Sequence, residues 1–122
     1  MKEDVILMTE RDYLRIRHIL SFQNSSEFEN LEIELDRAKI VEEEALPAGL
    51  VKMNTKFKFE VITDKKEMII TIVYPEDANF SEGKISVLAP LGSALIGLQV
   101  NQEINWMFPD GKIKRLKILE VY

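Results

Sequence analysis

Apolar and polar residues recur with two different periods along this chain, and the change of period falls near residue 47. Before it, Thr9 has the side chain of an N-cap, and Tyr13, Ile16, Ile19 and Leu20 fall on one side of a wheel turned about 100° per residue. That spacing predicts a helix over Glu10 to Phe22. Gln23-Asn24-Ser25-Ser26 interrupts it, and Ser26 with Glu29 three residues later is a capping-box signature for a second helix running to about Glu44. The second stripe, Phe28, Leu31, Leu35 and Ala38, matches the first. The short polar connection therefore predicts an antiparallel helical hairpin with the two stripes face to face. Ile33 and Ile40 lie seven residues apart on another side of the second helix, where they would meet either the remaining chain or a partner.

After Pro47, Ala48 and Gly49 the period becomes two. Phe57, Phe59 and Val61 alternate with Lys56, Lys58 and Glu60. Thr63 to Lys66 makes a turn, and Met68 to Tyr74 is a continuous β-rich run suited to a central strand, so the two strands form a hairpin. Ile85 and Val87 alternate with Lys84 and Ser86, and Pro90 can begin a helix without losing a needed N–H. Leu91, Leu95 and Ile96 form that helix's apolar side, and Gly97 stands where a left-handed residue ends it. Ile104, Trp106 and Phe108 share one strand face, which assigns Trp106 and Phe108 to the core, and Pro109-Asp110-Gly111 reverses the chain. In the last run Leu116 and Ile118 occupy one face but Leu119 and Val121 the other, which predicts a bulge or burial on both sides. Helices followed by a mainly antiparallel sheet with one short helix is an α+β arrangement. It divides into an arm, residues 1–46, and a sheet domain, residues 47–122.

Composition narrows the class. The chain has 122 residues, 46% hydrophobic and 30% charged, enough for one core and far from the disordered range. It has no cysteine, which removes disulfides, thiolate catalysis and cysteine-bound zinc. No apolar run reaches the roughly 20 residues of a membrane span, and Met1 to Met8 lacks the pattern of a signal peptide, so a cytoplasmic location and no membrane partner are expected. The net charge is −5, and its acidity is concentrated in Glu27 to Glu44, where only Arg37 and Lys39 oppose eight acids. Autonomous nucleic-acid binders carry a basic stripe instead, so a protein partner is expected.

The residues give little chemistry of their own. His18 is the single histidine and has neither a triad context nor zinc-ligand spacing, which makes it a surface or hairpin-packing residue. Glu42-Glu43-Glu44 and Glu76-Asp77 lack a calcium-loop pattern, and the glycines form no phosphate-cradling motif. No cofactor and no metal are expected.

The stretch Ser86-Val87-x-x-Pro90-x-x-x-Ala94-Leu95-Ile96-Gly97, followed by a strand, Pro109-Asp110-Gly111 and a closing Leu119-Glu120-Val121, resembles the C-terminal domain of the GreA/GreB family. Ala89, Pro90, Gly92, Ala94, Leu95, Gly97 and Leu98 are similar to the A-P-x-G-x-A-L-x-G-L of its Rnk type, and Gly92 and Leu98 favour that type over GreA. Leu35-Asp36-Arg37-Ala38, Met53-Asn54 and Val73-Tyr74-Pro75 extend the resemblance over nearly the whole chain.

The resemblance implies an FKBP-like sheet domain that grips bacterial RNA polymerase at the rim of the secondary channel. The segment at the start of the short helix is the one implicated, here Leu88, Ala89, Pro90 and Ser93. GreB-like proteins carry an acid two residues before this proline, whereas this chain has Leu88, leaving room for an apolar contact. In Gre factors a long hairpin presents an acidic pair that helps hold magnesium near the catalytic centre. Here a second helix of about 18 residues would be only about 27 Å long. The tip would offer Asn24, Ser25, Ser26 and a single acid, Glu27. These features imply a polymerase-binding elongation regulator without chemistry of its own, possible as a competitor of Gre factors. Two alternatives remain: a Gre-type cleavage stimulator, and an FKBP-like peptidyl-prolyl isomerase with a pocket lined by Phe57, Phe59, Tyr74, Trp106 or Phe108.

Overall fold

The computed structural model describes residues 6–23, 28–108 and 110–122. Strand β1, Leu7–Met8, leads into helix α1, Glu10–Leu20, whose N-cap Thr9 accepts a hydrogen bond from the Asp12 N–H through Oγ1 at 3.3 Å. The helix ends two residues before the position predicted. Helix α2, Glu29–Asp36, is followed by β2, Lys39–Ile40, and a 3-10 turn at Glu43–Ala45. Ile16 and Leu20 of α1 and Leu31 and Leu35 of α2 are all buried, as their spacing predicts.

The second helix departs from its sequence pattern at both ends. Its N-cap is Phe28 with no side-chain capping bond, so the predicted capping box is not formed, and Ser26 lies outside the described residues. It stops at Asp36 rather than near Glu44, because the next backbone groups pair with β1 instead. The Lys39 N–H donates to the Ile6 carbonyl at 2.9 Å and the Val41 N–H to the Met8 carbonyl at 3.1 Å. A helix continued to Glu44 would also have placed three carboxylates at the negative end of its dipole. At 8 residues α2 is about 12 Å long.

The sheet order is β5-β4-β3-β7-β6, built from β3 Lys56–Val61, β4 Lys66–Val73, β5 Lys84–Ser86, β6 Glu103–Met107 and β7 Ile113–Val121. Pairing is antiparallel except between β4 and β5, which run parallel. The β3–β4 hairpin turns through Ile62–Asp64 and a left-handed Lys65, and Phe57, Phe59 and Val61 all point into the core. β3 is the middle strand, and β4 is also interior, paired with β3 on one side and β5 on the other. β4 begins at Lys66, and its first half leaves Met68 and Ile69 exposed because β5 covers only Thr71 to Val73.

The irregular last strand contains the bulge. Phe59 pairs with Ile118 but Lys58 with Glu120, so one extra residue lies on β7, and Val121 then returns opposite Phe57. The shift brings Val121 back to the core side with Leu116 and Ile118. At the β6–β7 turn, Gly111 is left-handed and its N–H donates to the Phe108 carbonyl; Pro109 lies outside the described residues. Helix α3, Pro90–Leu95, starts at the predicted proline. Among the described residues no helix is long and apolar enough to cross a membrane.

One hydrophobic cluster spans the change of period at residue 47. Ile6, Ile16, Leu31 and Leu35 belong to the same core as Phe57, Ile72, Leu95 and Leu116. Gly97 is a close approach within it: its φ is +84°, and a Cβ there would lie 2.6 Å from the Ile6 Cβ. Gly111 has nearly the same φ, +86°, but nothing within 4 Å of such a Cβ. We therefore expect Gly97→Ala to lose about 2–4 kcal/mol in urea denaturation, and Gly111→Ala about 1 kcal/mol. Equal losses would show that the Ile6 contact is not the limiting one.

Candidate functional site

Two walls and a floor form a groove of about 880 Å³. One wall is the segment from Ser86 through α3, contributing Leu88, Ala89, Pro90 and Ser93. A second stretch of the lining comes from α2 and its two cap residues, through Phe28, Ile33, Glu34 and Arg37. Ile104 and Trp106 of β6 complete it. All four residues expected at the start of the short helix thus lie on one surface. The four expected at the arm's tip, Asn24, Ser25, Ser26 and Glu27, lie outside the described residues.

The first wall is held by backbone geometry. The Val87 N–H donates to the Val73 carbonyl at 2.9 Å, the Leu88 N–H to Ser86 Oγ at 3.0 Å, and the Ala89 N–H to the Ser86 carbonyl at 3.0 Å. This turn delivers Pro90 to the first position of α3, exposed, while Leu88 and Ala89 remain half-buried. Gly92 lets the helix sit on the turn, since a Cβ there would lie 2.3 Å from the Ser86 carbonyl oxygen. Within α3, the Ser93 Oγ–H donates back to the Pro90 carbonyl at 3.0 Å.

The second wall is held by polar contacts between α1 and its neighbours. The Tyr74 hydroxyl, in a side chain only 2% exposed, donates to Asp12 Oδ1 at 2.7 Å. The Arg15 guanidinium lies 3.8 Å above the Tyr74 ring and pairs with Glu76 at 2.5 Å. Arg17 bridges to Asp36 at the end of α2 and donates to the Tyr13 hydroxyl at 3.2 Å. The Asp36 carboxylate raises the Arg17 pKa above its ordinary value, with Tyr13 adding to the effect. The matched motifs thus acquire physical roles: in Leu35-Asp36-Arg37-Ala38 a core residue, an ion-pair partner, a groove residue and a packing contact; in Val73-Tyr74-Pro75 the link to α1. Asn54 of Met53-Asn54 adopts a left-handed φ of 62°.

The residues named for the isomerase alternative do not line one pocket among the described residues. Phe57, Phe59 and Tyr74 are at most 2% exposed and belong to the solid core, so of the five aromatic residues proposed for it only Trp106 reaches the groove. Trp106 and Phe108 are half-buried and pack against the core, with Lys114 5.2 Å from the Phe108 ring centre. His18 is exposed and meets Phe22 edge-on at 5.1 Å. Glu42, Glu43, Glu44, Glu76 and Asp77 are exposed. Sequence reasoning missed the contribution of α2 to the groove, although Arg37 stood in a matched motif and Ile33 was set apart from the helix's buried stripe.

The fold agrees with the comparisons to known proteins. The family model described as "Transcription elongation factor, GreA/GreB, C-term" matches residues 46–122, and the one described as "Rnk N-terminus" matches residues 5–41. The chain belongs to the GreA/GreB family of transcription elongation factors, in its Rnk-type branch. The "Regulator of nucleoside diphosphate kinase" of Escherichia coli (strain K12) is 34% identical over 124 residues, covering 99% of this chain and 91% of that protein. "Transcription elongation factor GreA" of Prosthecochloris aestuarii is 33% identical over 102 residues, 82% of this chain and 63% of its own. A solved structure, "Prokaryotic transcription elongation factor GreA/GreB from Nitrosomonas europaea", aligns with a TM-score of 0.84 at 39% identity over 98% of both chains. Gfh1 of Thermus thermophilus, at 18% identity and a TM-score of 0.54 over 98% of this chain and 99% of its own, shares the fold.

The Tyr74–Asp12 contact has a pH signature. Burial disfavours the phenolate, and the hydrogen bond to the Asp12 carboxylate further holds the proton, so the Tyr74 pKa is raised above its ordinary value; the nearby arginines oppose this without reversing it. A raised folded pKa contributes stability below the unfolded tyrosine value, about 10, and that contribution is lost as pH rises through the folded value. Tyr74→Phe is expected to cost about 1 kcal/mol at neutral pH, and the gap should narrow above about pH 10. Urea titrations of both proteins across this range measure it; a gap constant to pH 11 would refute the assigned cause.

Proposed function

We propose that this protein is a non-catalytic elongation regulator that binds bacterial RNA polymerase at the rim of the secondary channel through Leu88, Ala89, Pro90 and Ser93. The observation that carries the proposal is that these residues stand together on the groove wall, with exposed Pro90 presented by a tightly fixed turn. Family membership supplies the class of partner. In this proposal residues 47–122 form the docking domain, FKBP-like in architecture, and residues 1–46 a short antiparallel helical arm. The arm sits at the channel entrance and excludes Gre-type factors.

Absence of cleavage activity follows from reach. With α2 about 12 Å long, the arm is shorter than the sequence pattern alone implies. The tip residues Asn24 to Glu27 offer a single acid, whereas two-metal chemistry uses closely placed carboxylates. Nucleotide chemistry gains no support from the relative named for nucleoside diphosphate kinase, because the sequence carries no phosphate-cradling motif.

Immobilised core polymerase should retain the intact protein. Pro90→Asp, at an exposed first helical position that accepts an acid, should lower retention about tenfold or more without changing the melting temperature. Leu88→Asp should do the same, with its fold checked by circular dichroism because Leu88 packs partly on the core. Backtracked elongation complexes given the protein should yield no shortened transcripts and should lose sensitivity to added GreA. Failure of the wild-type protein to bind would end the proposal, and transcript shortening would convert it to a Gre-type cleavage factor.

A further inference from the structure

We infer that Asp12, Arg15 and Tyr74 are positioning residues that set the direction in which the arm leaves the sheet domain, and through it which part of the polymerase the arm covers. This rests on the polymerase-binding function proposed above and adds to it the contact that aims the arm.

Tyr74 belongs to the same frame as the docking turn. It follows Val73, whose carbonyl accepts the Val87 N–H at 2.9 Å, and its own carbonyl accepts the Asp77 N–H at 2.9 Å as Pro75–Asp77 turns the chain. Its side chain leaves that frame toward α1. Two residues of α1 hold it, three apart and therefore on one side of the helix. Asp12 Oδ1 accepts the hydroxyl proton at 2.7 Å at the end of the ring, and the Arg15 guanidinium covers the ring face at 3.8 Å while reaching Glu76 Oε2 at 2.5 Å. The contact at the end of the ring fixes how far α1 stands from β4, and the contact on its face fixes how the helix is rolled. One tyrosine thus registers α1 in two directions.

Burial alone does not do this. Ile16 and Leu20 are buried, which selects the side of α1 that turns inward. Hydrophobic burial is non-directional, however, and discriminates weakly between neighbouring tilts of a helix axis, whereas a hydrogen bond weakens steeply as its angle opens. The direction given to α1 passes to α2 through the Arg17–Asp36 bridge. The docking turn has supports of its own, since the Leu88 and Ala89 N–H groups both donate to Ser86. Releasing the Tyr74 clamp therefore changes the aim of the arm and leaves docking in place.

The chain has no cysteine, so spin labels go only where they are introduced, at Glu32→Cys on α2 and Lys66→Cys at the start of β4, both exposed. Pulsed electron resonance on this labelled full chain should give one narrow distance. Asp12→Ala combined with Arg15→Ala should broaden or shift it. Asp12→Asn, which keeps an acceptor oxygen, should leave it narrow, as should Arg11→Ala at an exposed residue of the same helix. Core polymerase should bind the double variant within about twofold of the wild type. A benzophenone carried on Glu32→Cys should crosslink the otherwise wild-type protein to one region of polymerase and the double variant to several. An unchanged narrow distance in the double variant would overturn the clamp, as would a broad one in the wild type. An unchanged crosslink would overturn its bearing on polymerase. Circular dichroism checks the fold; should the double variant lose it, Tyr74→Phe with Arg15→Gln, which keep the ring and the length of the side chain, gives the same reading. If the wild-type protein does not bind polymerase, the function proposed above falls and the distance measurement still decides the clamp.

Discussion

The contact between Ile6 and the backbone at Gly97 ties the molecule together. Ile6 is 2% exposed, its side chain lies against a glycine that admits no Cβ, and its carbonyl accepts the Lys39 N–H that ends the second helix. Gly97 in turn donates its N–H to the Val51 carbonyl at 2.9 Å. The N-terminal strand, the chain after α2, the segment entering the sheet and the end of α3 thus meet at one point. Because close-packed interiors do not deform continuously, a shift here would be felt at both walls of the groove.

From that point the groove follows. β1 fixes where α1 starts, and the pairing of β2 with β1 fixes where α2 stops. Tyr74, at the end of β4, reaches Asp12, while Arg17 reaches Asp36, so the helices are oriented by polar contacts as well as by burial. The exposed ion pairs contribute modestly to stability, on the order of 1 kcal/mol or less each, so their main effect is on geometry. On the sheet side, Gly92 and Ser86 hold α3 close to the end of β5. Each side of the groove thus has local supports of its own in addition to the shared core, and Trp106 lines the space with them.

On the proposed function, the short second helix would offer a surface rather than act through a tip. A helix of 8 residues provides a surface more readily than a long probe. Of the acids from Glu27 to Glu44 whose side chains are described, Glu32, Asp36, Glu42, Glu43 and Glu44 are exposed, Asp36 pairs with Arg17, and half-buried Glu34 lines the groove.

Much of this was legible in the amino-acid sequence because the governing signals were local. Strict alternation at Phe57, Phe59 and Val61 specifies a half-buried strand, Pro90 specifies a helix start, and the broken parity of Leu116, Ile118, Leu119 and Val121 specifies a bulge, each from residues adjacent in the chain. Leu88, Ala89, Pro90 and Ser93 were singled out only by the resemblance to the GreA/GreB family; the structure lines one groove with them. The tertiary structure decided the rest through partners distant in sequence. The helix predicted to run to about Glu44 gave way after Asp36 to pairing with β1, more than 30 residues away, where the Lys39 and Val41 N–H groups find the Ile6 and Met8 carbonyls. Likewise Ile33 is an exposed residue in any local pattern; only the packing of α2 across from α3 makes it a wall of the groove.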